Sequence, residues 1–154
     1  LRVNSYVPFG QHRLMELLPR FLERYPEISV EAVLTDNVID LLEERADIAI
    51  RAGPLRESRL VARKLGQSRM VLVASPAYLE ARGTPQTLSD LGRHNMLAFG
   101  FARHIEGWPF VDAAGKSIIL PIIGNMTLTD GEAMRRTALA GAGIARLARW
   151  HVQP

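Results

Sequence analysis

Arg51 follows the short apolar run Ile48-Ala49-Ile50 and precedes Ala52-Gly53-Pro54, so a cation closes what reads as a strand just before a turn. A run of this kind is expected to be buried on both faces, as in a parallel sheet. In open α/β sheets, ligands are held outside the carboxyl ends of the strands, which makes this guanidinium a candidate grip for a small anion. Two other polar residues occupy equivalent places. Ser5 ends the strand-like Leu1–Ser5, where Ser5-Tyr6-Val7-Pro8 offers a hydroxyl and the free N–H groups of a helix start. Thr35 ends the alternating segment Ser29–Thr35. Singly, each has a plainer account: Ser5 and Thr35 as caps, Arg51 as a surface cation. Jointly, at three successive strand ends beside a cleft, they point to binding.

Other chemistry is absent or better explained. The histidines His12, His94, His104 and His151 show no metal-ligand spacing, and ordinary surface or core positions are expected for them. There is no G-x-S-x-G elbow, no H-E-x-x-H and no P-loop. Gly141-Ala142-Gly143 ends a helix and precedes a strand, the reverse of the order that presents amides to a pyrophosphate. Glu43-Glu44 reads as an exposed helix end, and Asp130 with Glu132 reads as capping. No enzyme activity, metal or cofactor is expected.

The elements that would position Ser5, Thr35 and Arg51 alternate strand and helix. Leu14, Leu17, Leu18, Phe21, Leu22 and Tyr25 recur on one helical face, and Pro26 stops that helix. Asp36 or Asn37 should cap a short helix carrying Ile39, Leu41 and Leu42. A β-α-β-α-β order builds a parallel sheet through right-handed crossovers. Strands are expected next at Leu60–Leu65 and Met70–Ala74. Ser75-Pro76 then marks a helix start, and Thr87 with Asp90 resembles a capping box. Asn95–Phe99 should be a strand, and Trp108–Val111 should pair antiparallel with Ile118–Leu128. Thr129-Asp130-Gly131-Glu132 reads as a stronger capping box for a helix ended by Gly141, with a last strand over Gly143–Leu147. The fold class is therefore α/β in two lobes, 1–73 and 74–154, joined by strand and not by a flexible linker.

Composition narrows the class further. The 154 residues are 47% hydrophobic and 23% charged, enough for a core in one domain or two small lobes. Nineteen basic against 16 acidic residues give a net charge of +3, carried by arginine, since Lys64 and Lys116 are the only lysines. So modest a balance suits solubility and does not indicate nucleic acid. The local group Arg56, Arg59, Arg63, Lys64 and Arg69 is expected to be a solvated strand edge. No apolar run is long enough for a membrane span, no signal-peptide pattern opens the chain and cysteine is absent, all of which fits a cytoplasmic protein.

The order of motifs resembles the effector-binding domain of LysR-type transcriptional regulators over nearly the whole chain. Leu1-Arg2-Val3-Asn4, Pro8-Phe9-Gly10, Leu17 to Phe21 and Tyr25-Pro26 carry the resemblance in the first half, with Val38 to Glu44 and Asp47 to Pro54. Leu60 to Gly66, Val73 to Leu79, Asp130 to Ala133 and Ala138 to Ala145 continue it. Each motif is degenerate; their order and spacing are specific.

This resemblance implies a two-lobed periplasmic-binding-protein-like fold (type 2) with a small-molecule effector between the lobes, for which Arg51 makes an anion a candidate. It places the effector contacts at Ser5, Tyr6, Val7, Thr35, Arg51 and Ala52, and at Phe99, Gly100, Phe101 and Thr129. Phe99 and Phe101 could equally be core. The resemblance also implies a homodimer or homotetramer in which Arg13, Leu17, Arg20, Phe21 and Val33 of one subunit meet Met134, Arg135 and Ala138 of another. Leu17 and Phe21 could instead serve their own core. DNA would be bound only through an N-terminal winged helix-turn-helix absent from these residues. The family usually has proline after the last strand, where this chain has Ala148-Arg149-Trp150, and it continues past the position of Pro154 back to the first lobe. A truncated C-terminus is therefore expected. The alternative function is a solute-binding protein of a transport system, which shares the fold.

Overall fold

The computed structural model describes residues 1–37, 45–53, 61–100, 107–112 and 114–153. The expected helix around Leu41, the pair Glu43-Glu44, and Arg56, Arg59, Phe101 and His104 lie outside them. The chain divides into two compact units, Leu1–Ser68 and Arg69–Pro154. This boundary precedes the sequence-based one because the strand beginning at Met70 pairs with a strand near the end of the second unit.

In the first unit, β1 (Arg2–Ser5) leads into α1 (Val7–Phe9), a π turn over Gly10–Leu14, and α2 (Met15–Arg24). β2 (Glu31–Leu34) and β3 (Ile48–Ile50) then complete a three-stranded sheet in the order β2-β1-β3. Both pairings are parallel, with Ser5 opposite Leu34 on one side and Ile50 on the other. The sequence-based alternation of strand and helix thus yields the parallel sheet it implies. Gly10 lets the turn pack closely on Leu34, whose side chain would have to shift to admit a Cβ there. The helical face extends to Arg24, and Tyr25-Pro26 ends it as the spacing predicts.

β3 departs from the expected burial. Ile48 is 48% exposed, and Ala49 and Ile50 are half-buried. Among the described residues β3 has β1 on one side and no strand on the other, so an edge position replaces the double cover assumed for an apolar run.

The second unit contains β4 (Met70–Val73), α3 (Pro76–Arg82), a 3-10 turn over Ser89–Arg93 and β5 (Ala98–Phe99). β6 (Trp108–Val111), β7 (Ser117–Leu120), β8 (Thr127–Leu128), α4 (Gly131–Leu139), β9 (Ala145–Ala148) and α5 (Arg149–Val152) follow. β4 pairs antiparallel with β9, β6 antiparallel with β7, and β5 parallel with β8. Met96 and Ile144 form a parallel bridge. Successive strand residues point to opposite faces, and here both faces are covered. Met96 and Ile144 enter one core with Tyr78, Leu91 and Trp108. Leu97 and Ala145 enter the other with Met134, Ala138 and Leu147.

Two expected strands change. Val61–Leu65 carries no regular structure, and Val61 and Leu65 are exposed, so Arg63, Lys64 and Arg69 do not line a strand edge there. The run Ile118–Leu128 divides into β7 and β8, because Pro121 has no N–H with which to continue the ladder.

Helix starts follow the sequence more closely. The Ser75 hydroxyl accepts the Tyr78 N–H at 3.2 Å. Thr87 and Asp90 form the reciprocal box: the Thr87 N–H reaches Asp90 Oδ2 at 2.8 Å, and the Asp90 N–H reaches Thr87 Oγ1 at 3.3 Å. The Thr87 hydroxyl, with the Thr87 and Gln86 amides, holds the Asp90 carboxyl below its ordinary range. The third box is displaced by one residue. Asp130, not Thr129, caps α4, accepting the Glu132 and Ala133 amides at 2.7 and 2.9 Å. Gly141 ends that helix with φ +84°, a conformation that favours glycine.

Candidate functional site

The register of the first unit brings its three strand ends to one level. The Thr35 N–H donates to the Ser5 carbonyl at 2.9 Å, and the Tyr6 N–H to the Ile50 carbonyl at 3.3 Å. Tyr6, Thr35 and Arg51 therefore leave the sheet side by side, with Ser5 beneath them. The parallel sheet alone accounts for this convergence, since all three chains run the same way.

The three polar side chains behave differently. Ser5 is fully buried, and its hydroxyl donates to the neighbouring Tyr6 carbonyl at 3.2 Å. Thr35 Oγ1 accepts the Asn37 N–H at 3.1 Å, a local turn bond. For these two, the plainer turn chemistry is what the hydroxyls do. Arg51 is not a surface cation. Its Nη1 donates to the Thr35 carbonyl at 3.2 Å, whereas its Nη2 is buried with no hydrogen-bond partner among the described residues. Burial lowers the Arg51 pKa from its ordinary value, and the charge of Asp36 opposes that shift. A buried guanidinium group without its partner costs free energy, and a bound anion is one way to relieve that cost.

Asp36 belongs to this edge. Tyr6, at the N-cap of α1, gives that helix no side-chain cap bond. The Val7 N–H instead donates to Asp36 Oδ1 at 2.8 Å. Sequence reading offers Asp36 or Asn37 as the cap of the following helix, which lies outside the described residues; the Asp36 carboxylate also reaches back to the first helix. The one signal available was an acid directly after a strand that ends at a ligand edge. Of the remaining expected contacts, Tyr6 is half-buried with its ring 5.6 Å from Phe9, Val7 is buried and Ala52 is exposed.

The second unit has its own strand-end group. β5 and β8 run parallel, and the Gly100 N–H extends their ladder to the Leu128 carbonyl at 3.0 Å. Phe99, Gly100 and Thr129 thus come together at the carboxyl ends. Phe99 is 42% exposed, which removes the reading of it as core. The expected contact Phe101 lies outside the described residues. None of these residues lines the surface cleft of about 510 Å³ between α3 and the end of α4, which Tyr78, Arg82, Arg93, Asn95, Asn125 and Gly141 border.

The expected subunit contacts divide in the same way. Leu17 is 60% exposed, Arg13 and Arg20 are exposed, and Phe21 and Val33 are half-buried. Met134 and Ala138 are 1% and 3% exposed and pack within the second unit's core, so their side chains are not available at the surface. Arg135 is bound to Glu132 through Nη2 at 2.8 Å.

Glu132 is the residue that sequence reading most undervalued. It is 4% exposed, and besides Arg135 it takes Arg136 Nε at 3.2 Å and His151 Nε2 at 2.8 Å. An ionised carboxylate only accepts, so Nε2 of His151 carries the proton. The hydrogen bond between Arg135 and Glu132 raises the Arg135 pKa from its ordinary value. His94 also lies in the interior, with Nδ1 3.3 Å from the Tyr78 hydroxyl.

Each of the two units is mixed α/β and carries polar residues at the carboxyl ends of parallel strands. The family model for the LysR substrate binding domain matches residues 1–154, and the chain belongs to that family. The HTH-type transcriptional regulator CrgA of Neisseria meningitidis is 41% identical over 147 residues, aligning 96% of this chain with 48% of the regulator. The HTH-type transcriptional activator TtdR of Escherichia coli is 28% identical over 155 residues, with all of this chain and 50% of the activator covered. The chain thus spans about half the length of the curated relatives it matches.

Solved structures agree. The CrgA regulatory domain superposes with a TM-score of 0.85 at 39% identity, covering 99% of this chain and 74% of that one. Full-length AphB, a virulence activator of Vibrio cholerae, gives 0.83 at 25% identity, covering 99% and 52%. The fold is the two-lobed, periplasmic-binding-protein-like fold of LysR regulatory domains. The alternative of a transport solute-binding protein finds no support in these relatives, which are transcriptional regulators. Among the described residues no helix is long and apolar enough to cross a membrane.

Proposed function

We propose that this chain is the effector-sensing part of a cytoplasmic LysR-type transcriptional regulator and has no catalytic role. A small molecule that prefers one arrangement of the domain shifts its population, and so reorients N-terminal winged helix-turn-helix domains that bind DNA. The observation that carries this reading is Arg51, a half-buried residue on a sheet's carboxyl edge whose buried Nη2 has no hydrogen-bond partner among the described residues. Ser5, Tyr6, Val7, Thr35 and Ala52 form its surroundings, and Phe99, Gly100, Phe101 and Thr129 are the proposed contacts from the second unit. The two units correspond to the family's two regulatory subdomains.

The test is calorimetric titration of small carboxylates, aliphatic and aromatic, into the protein and its Arg51→Gln variant. A charge-assisted bond contributes about 1.5–3 kcal/mol, so affinity for a bound carboxylate should fall roughly 10- to 150-fold. Equal affinity in both proteins would remove Arg51 from the pocket.

The regulator is further proposed to be a homodimer or homotetramer. Arg13 on the π turn and Leu17, Arg20 and Phe21 on α2, together with Val33, would meet the α4 region around Arg135 of another subunit. Met134 and Ala138 would support that surface from below. An acid at Leu17, as in Leu17→Glu, is expected to shift sedimentation toward the monomer, with helicity unchanged. A sedimentation profile identical to the parent's would place the interface elsewhere.

A further inference from the structure

We propose that the cleft between α3 and the end of α4 is a second ligand site, within the second unit, for a small monocarboxylate with a compact apolar body. Its volume of about 510 Å³ is that of a small-molecule pocket. Bonds within the protein fix its back wall. The Tyr78 hydroxyl accepts the Asn95 N–H at 2.9 Å, Asn95 Nδ2 donates to the Ala142 carbonyl at 2.6 Å, and the Asn125 N–H donates to Asn95 Oδ1 at 3.0 Å. They tie α3, the approach to β5 and the end of α4 together, so the walls are set before any ligand arrives. Two cations complete the lining. Arg82, in the last turn of α3, is exposed and has no hydrogen-bond or ionic partner among the described residues. Arg93 gives Nη2 to Asp90 at 2.8 Å and keeps its other guanidinium nitrogens free. No acid is among the described lining residues, and Ala77, Ala81 and Ala140 have only methyl side chains with which to fill the space. A guanidinium fork matches the two oxygens of a carboxylate, and small apolar side chains suit a compact hydrocarbon body. The site stands apart from the strand-end group of the same unit. From Asn95 the chain runs through the bridge at Met96 to Phe99, four extended residues or about 13 Å away.

Cyclohexanecarboxylate and cyclohexanecarboxamide are suitable probes, close in shape and different in charge. Each would be titrated at neutral pH and constant ionic strength into the ¹⁵N-labelled protein, following the backbone amides of Ala81, Arg82, Asn125 and Gly141. The carboxylate is expected to shift them along one saturating isotherm, about fivefold tighter than the carboxamide, as for a charge contact open to water. Arg82→Gln should weaken the carboxylate by about the same factor and leave the carboxamide unchanged. Ala81→Leu keeps both cations and fills the cleft, so it should weaken both compounds at least about fivefold. Both positions are exposed on α3, and the rest of the spectrum reports that each variant is folded. No saturable shift at these amides, equal affinity for the two compounds, or an unchanged carboxylate isotherm in either variant would each overturn the proposal. Shifts confined to Tyr6, Val7 or Gly100 would overturn it too, while leaving the strand-end effector reading intact.

Discussion

Replacing Glu132 by alanine is expected to lower the folding free energy by about 3 kcal/mol, because it strips a buried ionic group of its centre. The carboxylate is nearly inaccessible and holds His151 Nε2 at 2.8 Å and the Arg135 fork at 2.8 and 3.1 Å. Without it, a buried imidazole N–H and a half-buried guanidinium lose their acceptor, and neither recovers it from water at no cost. Arg136 adds little, since its side chain is 75% exposed. Glu132→Gln keeps one acceptor oxygen and should lose less. Denaturant unfolding measures both, and a loss below about 1 kcal/mol for the alanine variant would show that His151 and Arg135 find other partners.

The larger loss is expected at Trp108. Its side chain is 5% exposed among Tyr78, Leu91, Met96 and Ile144, and β7 pairs beside it. Trp108→Ala removes the largest side chain of that core, and the rigid strands around it close the gap only in part. Substitutions of this type cost about 3–5 kcal/mol, which approaches the whole stability of an ordinary small domain. Phe110 lies on the same strand but only partly within the core, so its alanine variant should cost distinctly less. Equal losses at the two positions would mean that the hairpin, and not the core beneath it, governs the effect.

Local chemistry was readable from sequence wherever a residue acts on its near neighbours. Ser75 caps three residues ahead, Thr87 and Asp90 answer each other, and Pro26 ends a helix. The strand ends at Ser5, Thr35 and Arg51 were likewise visible, because an apolar run with a polar stop needs no partner to be recognised. What failed depended on distance. Glu132 looked like a cap because Thr129 stands three residues before it, yet its carboxylate serves His151, 19 residues away. Thr129 and Asp130 are both competent caps, and nothing local chooses between them. Ile48 was read as buried because its strand is apolar, but burial depends on how many strands flank it, a property of the sheet. Met134 and Ala138 show the same limit: the helix that carries them is legible in the sequence, but which of its sides faces inward is not.

The pairing of β4 with β9 has a kinetic consequence. The second unit is closed by its own first and last strands, and every other element except α5 lies between them in the chain. Its sheet cannot be completed by neighbours zipping together as they leave the ribosome. A wide loop must close first, and that search loses chain entropy before any contact repays it. During synthesis β4 is an open edge that waits, with Met70 to Val73 unmatched, until Ala145 to Ala148 emerge. Variants that weaken this closure should therefore reveal themselves less in the finished fold than in yield, as chains lost to aggregation before the ring of contacts is made.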